Sequence, residues 1–465
     1  MRAFITDLLH RHSDSTPVFS HRSTVTHGLL RADVSAHALR FAAVGIGEGS
    51  TVAVQVPPSF SHLEAVLALW SLGAQVISID HRLRPSEAHA LHALTRPEFL
   101  VHPIGETAPG FQERYGLVAS PADGVPAPTA HRMVQFSSGS TGRSKVIGRT
   151  TSSLINEVAR FEASPGMVRR GERLLLLNSP AHSFGLIGGL LHSLATGVHL
   201  VFAASPAAVD VLDAARTFEV DFLTGLPFHF DLLASSPDRS ALSTLRGAFA
   251  GGELMPQDVA SRFLAAYGFP VGECFGTTET GALTMTVEGT VRPSVGPPMP
   301  GITARVRDGL VEVALPETPY LSPDDPSRYS GGWFRTGDRG EFTADGELRL
   351  LGRSDSLVVV RGNKVDLTEV ETVLRGHPQV TEAVAVGSSE IRAYVGTPSD
   401  TLTAEALSEW CTERLAEFKL PQHIHVMDTL PRTPTGKIIR RMEPLHASYL
   451  RAHLDRFPAQ SGDPR

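Results

Sequence analysis

Apolar and polar positions alternate between two periods over most of the chain. Thr51-Val52-Ala53-Val54-Gln55-Val56 reads as a strand. Ser61 to Leu72 follows, with Leu63, Val66, Leu67 and Trp70 at helical spacing. Gln75-Val76-Ile77-Ser78-Ile79 is the next predicted strand and Pro85 to Leu94 the next helix. Short β-rich runs recur at Leu174–Leu177, His199–Ala203, Phe222–Thr224 and Ala248–Ala250. This succession predicts an α/β fold of doubly wound parallel sheets with helices on both faces. Ligands of such sheets bind at the carboxyl ends of the strands.

The texture changes near residue 290. Pro293, Pro297, Pro298 and Pro300 break helices, and short strands follow at Ala304–Val306, Leu310–Val313 and Glu347–Leu351. They predict a small β subdomain. After Ser354 a compact α+β unit is expected. Val358–Val360 is its first strand, Asp366 and Glu369 have the spacing of a capping box, and Val370, Val373 and Leu374 form a buried stripe. Strands at Ala383–Val386 and Arg392–Val395 precede a helix from about Ala404 to Phe418. The expected division is residues 1–354 and 355–465, with a disordered tail after Phe457.

Composition narrows the class. At 465 residues the chain exceeds one ordinary core. With 42 Lys+Arg against 49 Asp+Glu and no basic block, a nucleic-acid partner is not expected. Cys274 and Cys411 are too few for a disulfide framework or a Cys-rich zinc site, so a cytoplasmic setting is expected. Phe184 to Ala204 is the one membrane-like run. It contains His192 and His199 and breaks at Thr196-Gly197, so it predicts a buried helix and a strand, not a membrane span.

The strongest local signal is Ser137-Ser138-Gly139-Ser140-Thr141-Gly142-Arg143-Ser144-Lys145, after the apolar-flanked run Met133–Phe136. Glycines let backbone N–H groups approach an anion, the hydroxyls add donors, and the lysine adds charge. The segment suits a triphosphate tail, although its spacing fits neither Walker A nor G-x-G-x-x-G. Alone, it also fits a polar surface loop. Four further segments alter the balance: Phe275-Gly276-Thr277-Thr278-Glu279; Trp333-Phe334-Arg335-Thr336-Gly337-Asp338; Gly352-Arg353-Ser354-Asp355 continuing to Arg361–Val365; and Pro431-Arg432-Thr433-Pro434-Thr435-Gly436-Lys437.

In order and spacing these five segments resemble the acyl-adenylate-forming (AMP-binding) superfamily. That superfamily includes acyl-CoA synthetases, aryl-acid activating enzymes and peptide-synthetase adenylation domains. The resemblance runs from about Val52 to Arg440 and implies a large N-terminal domain followed by a small mobile lid. It also implies a two-step reaction: a carboxylate and ATP give an acyl-AMP and pyrophosphate, and a thiol then displaces AMP. By the same resemblance Ser137, Ser140, Thr141 and Lys145 grip the β- and γ-phosphates, and Thr278 donates to the α-phosphate. Glu279 holds Mg²⁺, a hard cation that favours oxygen ligands. Phe275 stacks on adenine, with Gly251, Gly252 and Glu253 on the other side. Asp338 accepts the ribose hydroxyls, and Arg353 lies near ribose and phosphates. Lys437 stabilises charge developing on the carboxylate and α-phosphate, and Asp355 is the hinge. One departure stands in the phosphate loop, where Ser144 replaces the usual proline before the lysine.

Asn178 to Gly185 matches the segment bordering the acyl pocket, which assigns His182, Ser183 and Phe184 to the substrate, with Phe228 and His229 on another wall. Gly188 and Gly189 are expected to leave room beside them. Amino-acid-activating relatives carry an aspartate where Ser183 stands, and a buried ammonium without a carboxylate is costly. The expected substrate is therefore a medium-sized carboxylic acid that is not an α-amino acid. The expected acceptor is the phosphopantetheine thiol of coenzyme A. An acyl carrier protein, an amine acceptor and a non-catalytic nucleotide-binding relative remain as alternatives.

Overall fold

A computed structural model describes residues 1–83, 85–137, 145–289, 293–322, 325–360, 363–387, 390–415, 417–433 and 436–456. The chain divides into two compact units. One comprises Met1–Thr336 and Glu341–Leu350, the other Gly337–Gly340 and Leu351–Arg465. The expected tail after Phe457 lies outside the described residues.

Two large sheets organise the first unit. One runs in the order Tyr320–Ser322, Lys145–Thr150, His131–Ser137, Gln75–Ser78, Thr51–Val54, Phe99–Pro103, Leu117–Pro121. The central pairings, Thr51 with Gln75 and Val76 with Met133, are parallel. The other runs Gly281–Thr286, Gly272–Thr277, Gly247–Gly251, Phe222–Gly225, Arg173–Leu176, His199–Val201, Pro17–Ser20, Thr24–Thr26. All its pairings are parallel except those of the two outermost strands. These are the expected doubly wound sheets, with antiparallel strands added at the edges.

Helix Phe60–Ser71 shows why the alternation takes this form. Ser59 Oγ accepts the His62 N–H at 3.0 Å and caps it. Every residue from Phe60 to Trp70 is buried, because the helix is apolar almost all round. The apolar run after Ser183 is a buried helix, but of an unexpected type. Phe184–Leu191 is a π-helix that passes into an α-helix at His192–Thr196 and ends at Gly197, whose φ of 79° closes it. Among the described residues no helix is long and apolar enough to cross a membrane.

The second unit holds a two-stranded ribbon, Leu357–Val360 with Asn363–Asp366, and a three-stranded sheet, Glu382–Gly387, Ile391–Gly396 and His423–Met427. Val370, Leu374, Ile391, Val395, Leu407 and Cys411 belong to its own core. Asp366 caps helix Leu367–Arg375 through the Thr368 N–H at 2.9 Å. The capping box, however, is half present: the Glu369 carboxylate takes Lys419 Nζ at 2.7 Å instead. The helix expected to reach Phe418 ends at Thr412, and a 3₁₀ turn covers Glu417–Lys419. Both cysteines are buried free thiols.

Several buried imidazoles have consequences for stability. Burial holds His62 and His192 at a pKa of about 4, against the ordinary 6.5. Both are neutral when folded and take up a proton when unfolded, so stability is full above about pH 6.5 and falls as pH drops towards 4. Between pH 7.5 and pH 5 each should cost about 2 kcal/mol. Urea unfolding should show that decline, and a His62→Gln/His192→Gln variant should have a visibly flatter pH profile over the same range.

Candidate active site

Strand Gly272–Thr277 bends back on Gly281–Thr286 through a short turn that carries Thr278 and Glu279. The register slips between Phe275 and Gly276, a bulge that redirects the strand end. Thr277 and Thr280 close the turn through their hydroxyls, 3.2 Å apart. Phe275 is partly buried and packs on Val295, Val311, Leu348 and Leu350, so one side of its ring serves the core.

Glu279 is buried beside an aromatic floor. Its Oε1 accepts the Tyr320 hydroxyl at 3.0 Å. Burial and the neighbouring Glu279 carboxylate push the Tyr320 phenol well above its ordinary pKa, so it remains a donor. Tyr320 opens the edge strand beside Lys145–Thr150, with Tyr320 opposite Ile147. Lys145 therefore projects its ammonium over the Tyr320 ring, 4.7 Å from the centroid, and forms an ion pair with Asp325. Lys145 and the acidic turn thus share one tyrosine. Ser137 pairs with Lys145 through the backbone, while its side chain and all of Ser140 and Thr141 lie outside the described residues.

Three strand ends are tied together nearby. Asn178, after strand Arg173–Leu176, donates Nδ2 to the Gly251 carbonyl at 3.2 Å and accepts the Thr224 hydroxyl at 3.0 Å. Gly251 is then followed by Gly252, at a φ of 105°, and by half-buried Glu253. A Cβ at Gly251 would lie 3.1 Å from Phe184 Cζ, so its small size accommodates Phe184.

Around the expected acyl segment, His182 Nε2 lies 3.9 Å from Asp80 Oδ2. Asp80 itself is gripped by Arg82 through Nε at 3.1 Å and Nη2 at 3.0 Å. Ser183 Oγ is buried without a hydrogen-bond partner. The room expected at Gly188 and Gly189 is absent. A Cβ on Gly188 would meet Phe161 Cζ at 2.9 Å, and one on Gly189 would meet Leu176 Cδ2 at 2.7 Å. Their bareness is consumed by packing and opens no room. His229 is buried, and its Nδ1 accepts the Leu226 N–H at 2.9 Å. It caps its own helix beside the Phe228 ring, centroids 3.9 Å apart, which accounts for one of its ring nitrogens.

In the second unit, Arg353 Nη1 donates to Asp338 Oδ1 at 3.4 Å, so these two motif residues meet. Asp355 lies in a 3₁₀ turn, Ser354–Ser356, with its side chain outside the described residues. Lys437 is exposed on a tight turn. Its N–H donates to Thr433 Oγ1 at 3.2 Å, Arg432 Nη1 binds the Gly436 carbonyl at 2.7 Å, and Gly436 has a φ of 88°. Tyr320, Asp325 and Asp80 escaped the sequence reading. Asp80 had a signal, since it follows directly on a predicted strand end; Tyr320 and Asp325 stand in no recognisable pattern.

A glycine pair and an acidic turn at the ends of one mainly parallel sheet, with Lys145 opening an antiparallel strand of the other beside Ser137, fit a nucleotide-binding α/β protein. Residues 6–318 match the family described as AMP-binding enzyme, and residues 369–437 match the AMP-binding enzyme C-terminal domain. The chain belongs to the AMP-binding enzyme family. It is 30% identical to an oxalate–CoA ligase of Arabidopsis thaliana, over 71% of this chain and 69% of that one. It is 27% identical to a fatty acid–[acyl-carrier-protein] ligase of Streptomyces coeruleorubidus, over 93% of each. Its fold is similar to that of an o-succinylbenzoate coenzyme A synthetase from Bacillus subtilis in complex with AMP. That likeness has a TM-score of 0.80 at 22% identity and covers 95% of this chain and 97% of the other. In reaction class the chain is an AMP-forming acid ligase.

Asn178 bridges three strands, and Asn178→Ala would leave the Gly251 carbonyl and Thr224 hydroxyl unsatisfied. The expected loss is about 2 kcal/mol, read by urea unfolding. Asn178→Asp, which sets a buried carboxylate oxygen against the Gly251 carbonyl, should lose at least as much.

Proposed function

We propose that the protein joins a carboxylic acid, other than an α-amino acid, to the thiol of coenzyme A through an acyl-adenylate. The observation that carries this is the shared tyrosine: Lys145 over the Tyr320 ring and Glu279 accepting from its hydroxyl. Two distant motifs thereby present a cation and a carboxylate together at the strand ends.

In this reading Lys145, with Ser137, Ser140 and Thr141, binds the β- and γ-phosphates of ATP. On binding, Lys145 exchanges the Asp325 carboxylate for phosphate oxygens. Thr278 donates to the α-phosphate. Phe275 stacks on adenine against Gly251, Gly252 and Glu253, and Asp338 with Arg353 receives the ribose. Among the described residues no group of three or more His, Cys, Asp or Glu side chains could hold a metal. A single carboxylate, Glu279, fits Mg²⁺, which keeps most of its shell for water and substrate phosphates. When bound, that ion neutralises phosphate charge.

A carboxylate oxygen of the acid attacks the α-phosphorus, the bond to the bridging oxygen breaks, and pyrophosphate leaves with its electron pair. Lys437 stabilises the charge developing on the attacking and α-phosphate oxygens. The thiolate sulfur of coenzyme A then attacks the acyl carbon and expels AMP. The C-terminal segment 355–465 turns about Asp355 to alternate between the two steps. Exclusion of an α-amino acid follows from charge. Ser183 offers a hydroxyl, and Asp80 is already paired with Arg82, so neither supplies a free carboxylate to a buried ammonium. A carrier-protein phosphopantetheine presents the same thiol and is the second acceptor to test; the carrier-protein ligase among the relatives favours its inclusion.

A panel of aryl and aliphatic acids with hydroxylamine trapping should yield an acyl hydroxamate from one class and none from α-amino acids. Free coenzyme A should then speed AMP release; acceleration only by a carrier protein would reassign the acceptor. Lys437→Ala should lower acid-dependent pyrophosphate release by about 100-fold while ATP still binds by calorimetry, and full activity would refute its role. Glu279→Ala should shift the Mg²⁺ titration to much higher concentration; an unmoved curve would count against the ligand role.

A further inference from the structure

Behind the Thr278–Glu279 turn lies a buried ion pair to which no role has yet been given. Arg149, on strand Lys145–Thr150, is 3% exposed, and Glu157, on helix Thr151–Ala163, is 1% exposed. Arg149 Nη2 donates to Glu157 Oε2 at 2.7 Å, and its Nε donates to Ser153 Oγ at 3.1 Å. The other carboxylate oxygen, Glu157 Oε1, accepts the backbone N–H of Ala282 at 2.9 Å. Ala282 follows directly on the turn that carries Thr278 and Glu279. Gly281, between them, has a φ of 71°, and a Cβ there would come within 2.1 Å of Glu157 Oε2. The carboxylate thus packs against the turn's backbone with no side chain intervening.

We propose that Glu157 is a positioning residue for adenylate formation: it fixes the Thr277–Gly281 turn, and so the direction of Glu279, from beneath. The proposal rests on Glu279 being the Mg²⁺ ligand. Taking two charges out of water is costly, and here it is offset only in part, since Arg149 Nη1 is buried without a hydrogen-bond partner; apolar residues of similar volume would fill a purely structural position as well. An apolar residue cannot supply the acceptor that Ala282 uses. Arg149 also shares its strand with Lys145, so one buried pair anchors the phosphate-binding strand and the acidic turn to the same helix. Only a carboxylate serves both donors at once. Glutamine has a single acceptor oxygen, which the Arg149 charge would claim, leaving its amide N–H₂ facing the Ala282 N–H.

The test uses the full chain and two variants. Arg149→Met/Glu157→Leu removes both charges and should keep the fold; Glu157→Gln is the smaller change if it does not. In each, amide exchange over residues 277–282 without nucleotide should accelerate. The Mg²⁺ concentration for half-maximal acid-dependent pyrophosphate release should rise about five-fold or more, with the KM for the acid unchanged. A folded variant with the wild-type Mg²⁺ curve, or a shifted curve without faster exchange, overturns the proposal. Glu279→Gln is run alongside. An unchanged Mg²⁺ titration in that variant sinks the ligand reading by itself, and the exchange measurement then decides alone whether Glu157 holds the turn.

Discussion

The hydrogen bond from Tyr320 to Glu279 is the contact on which the first unit's site depends. A carboxylate at a sheet edge, mostly removed from water, needs donors that do not cancel its charge. A phenol does this, because burial and the carboxylate itself keep it protonated. The face of the same ring is electron-rich, and it receives the Lys145 ammonium. One side chain therefore holds the Glu279 carboxylate at its rim and the Lys145 ammonium, paired with Asp325, over its face. That is the charge arrangement the proposed site for a polyphosphate with a divalent ion would use.

Much of the scaffold was legible because two periodicities dominate it. The alternation from Thr51 onward gave the parallel strands, and the glycine- and hydroxyl-rich segment after Phe136 marked a strand end. Helices with mixed faces were less visible. His27–Ala43 buries Leu30, Val34, His37 and Phe41, yet histidine in that stripe and alanines around it blur the pattern. The π-helix at Phe184–Leu191 was read only as a buried helix, since glycine and leucine throughout give no face to choose.

The site was legible where motifs are contiguous and hidden where it is assembled through space. Thr278, Glu279 and Lys145 stand in recognisable runs. Tyr320 and Asp325 acquire meaning only because an edge strand from late in the sequence lies beside Lys145–Thr150. Gly188 and Gly189 mislead for the converse reason. A bare backbone looks like a pocket feature in sequence. Here the glycines are filled by Phe161 and Leu176, and His229 spends a ring nitrogen on its own helix end.

The buried polar groups also divide by what they hold. Asn178 secures three parallel strand ends with one amide, and the Arg149–Glu157 pair secures a turn through one backbone N–H. Both lie behind the groups assigned to chemistry, and both satisfy backbone or hydroxyl groups that strand ladders leave over. Parallel strands terminate with such groups facing the ligand edge, where water would otherwise bind them. Satisfying them from within leaves Glu279 and Lys145 to pair with Tyr320 and Asp325. The buried Arg149–Glu157 pair sits beneath the Thr278–Glu279 turn, where a fixed contact serves a proposed binding layer that must itself exchange partners.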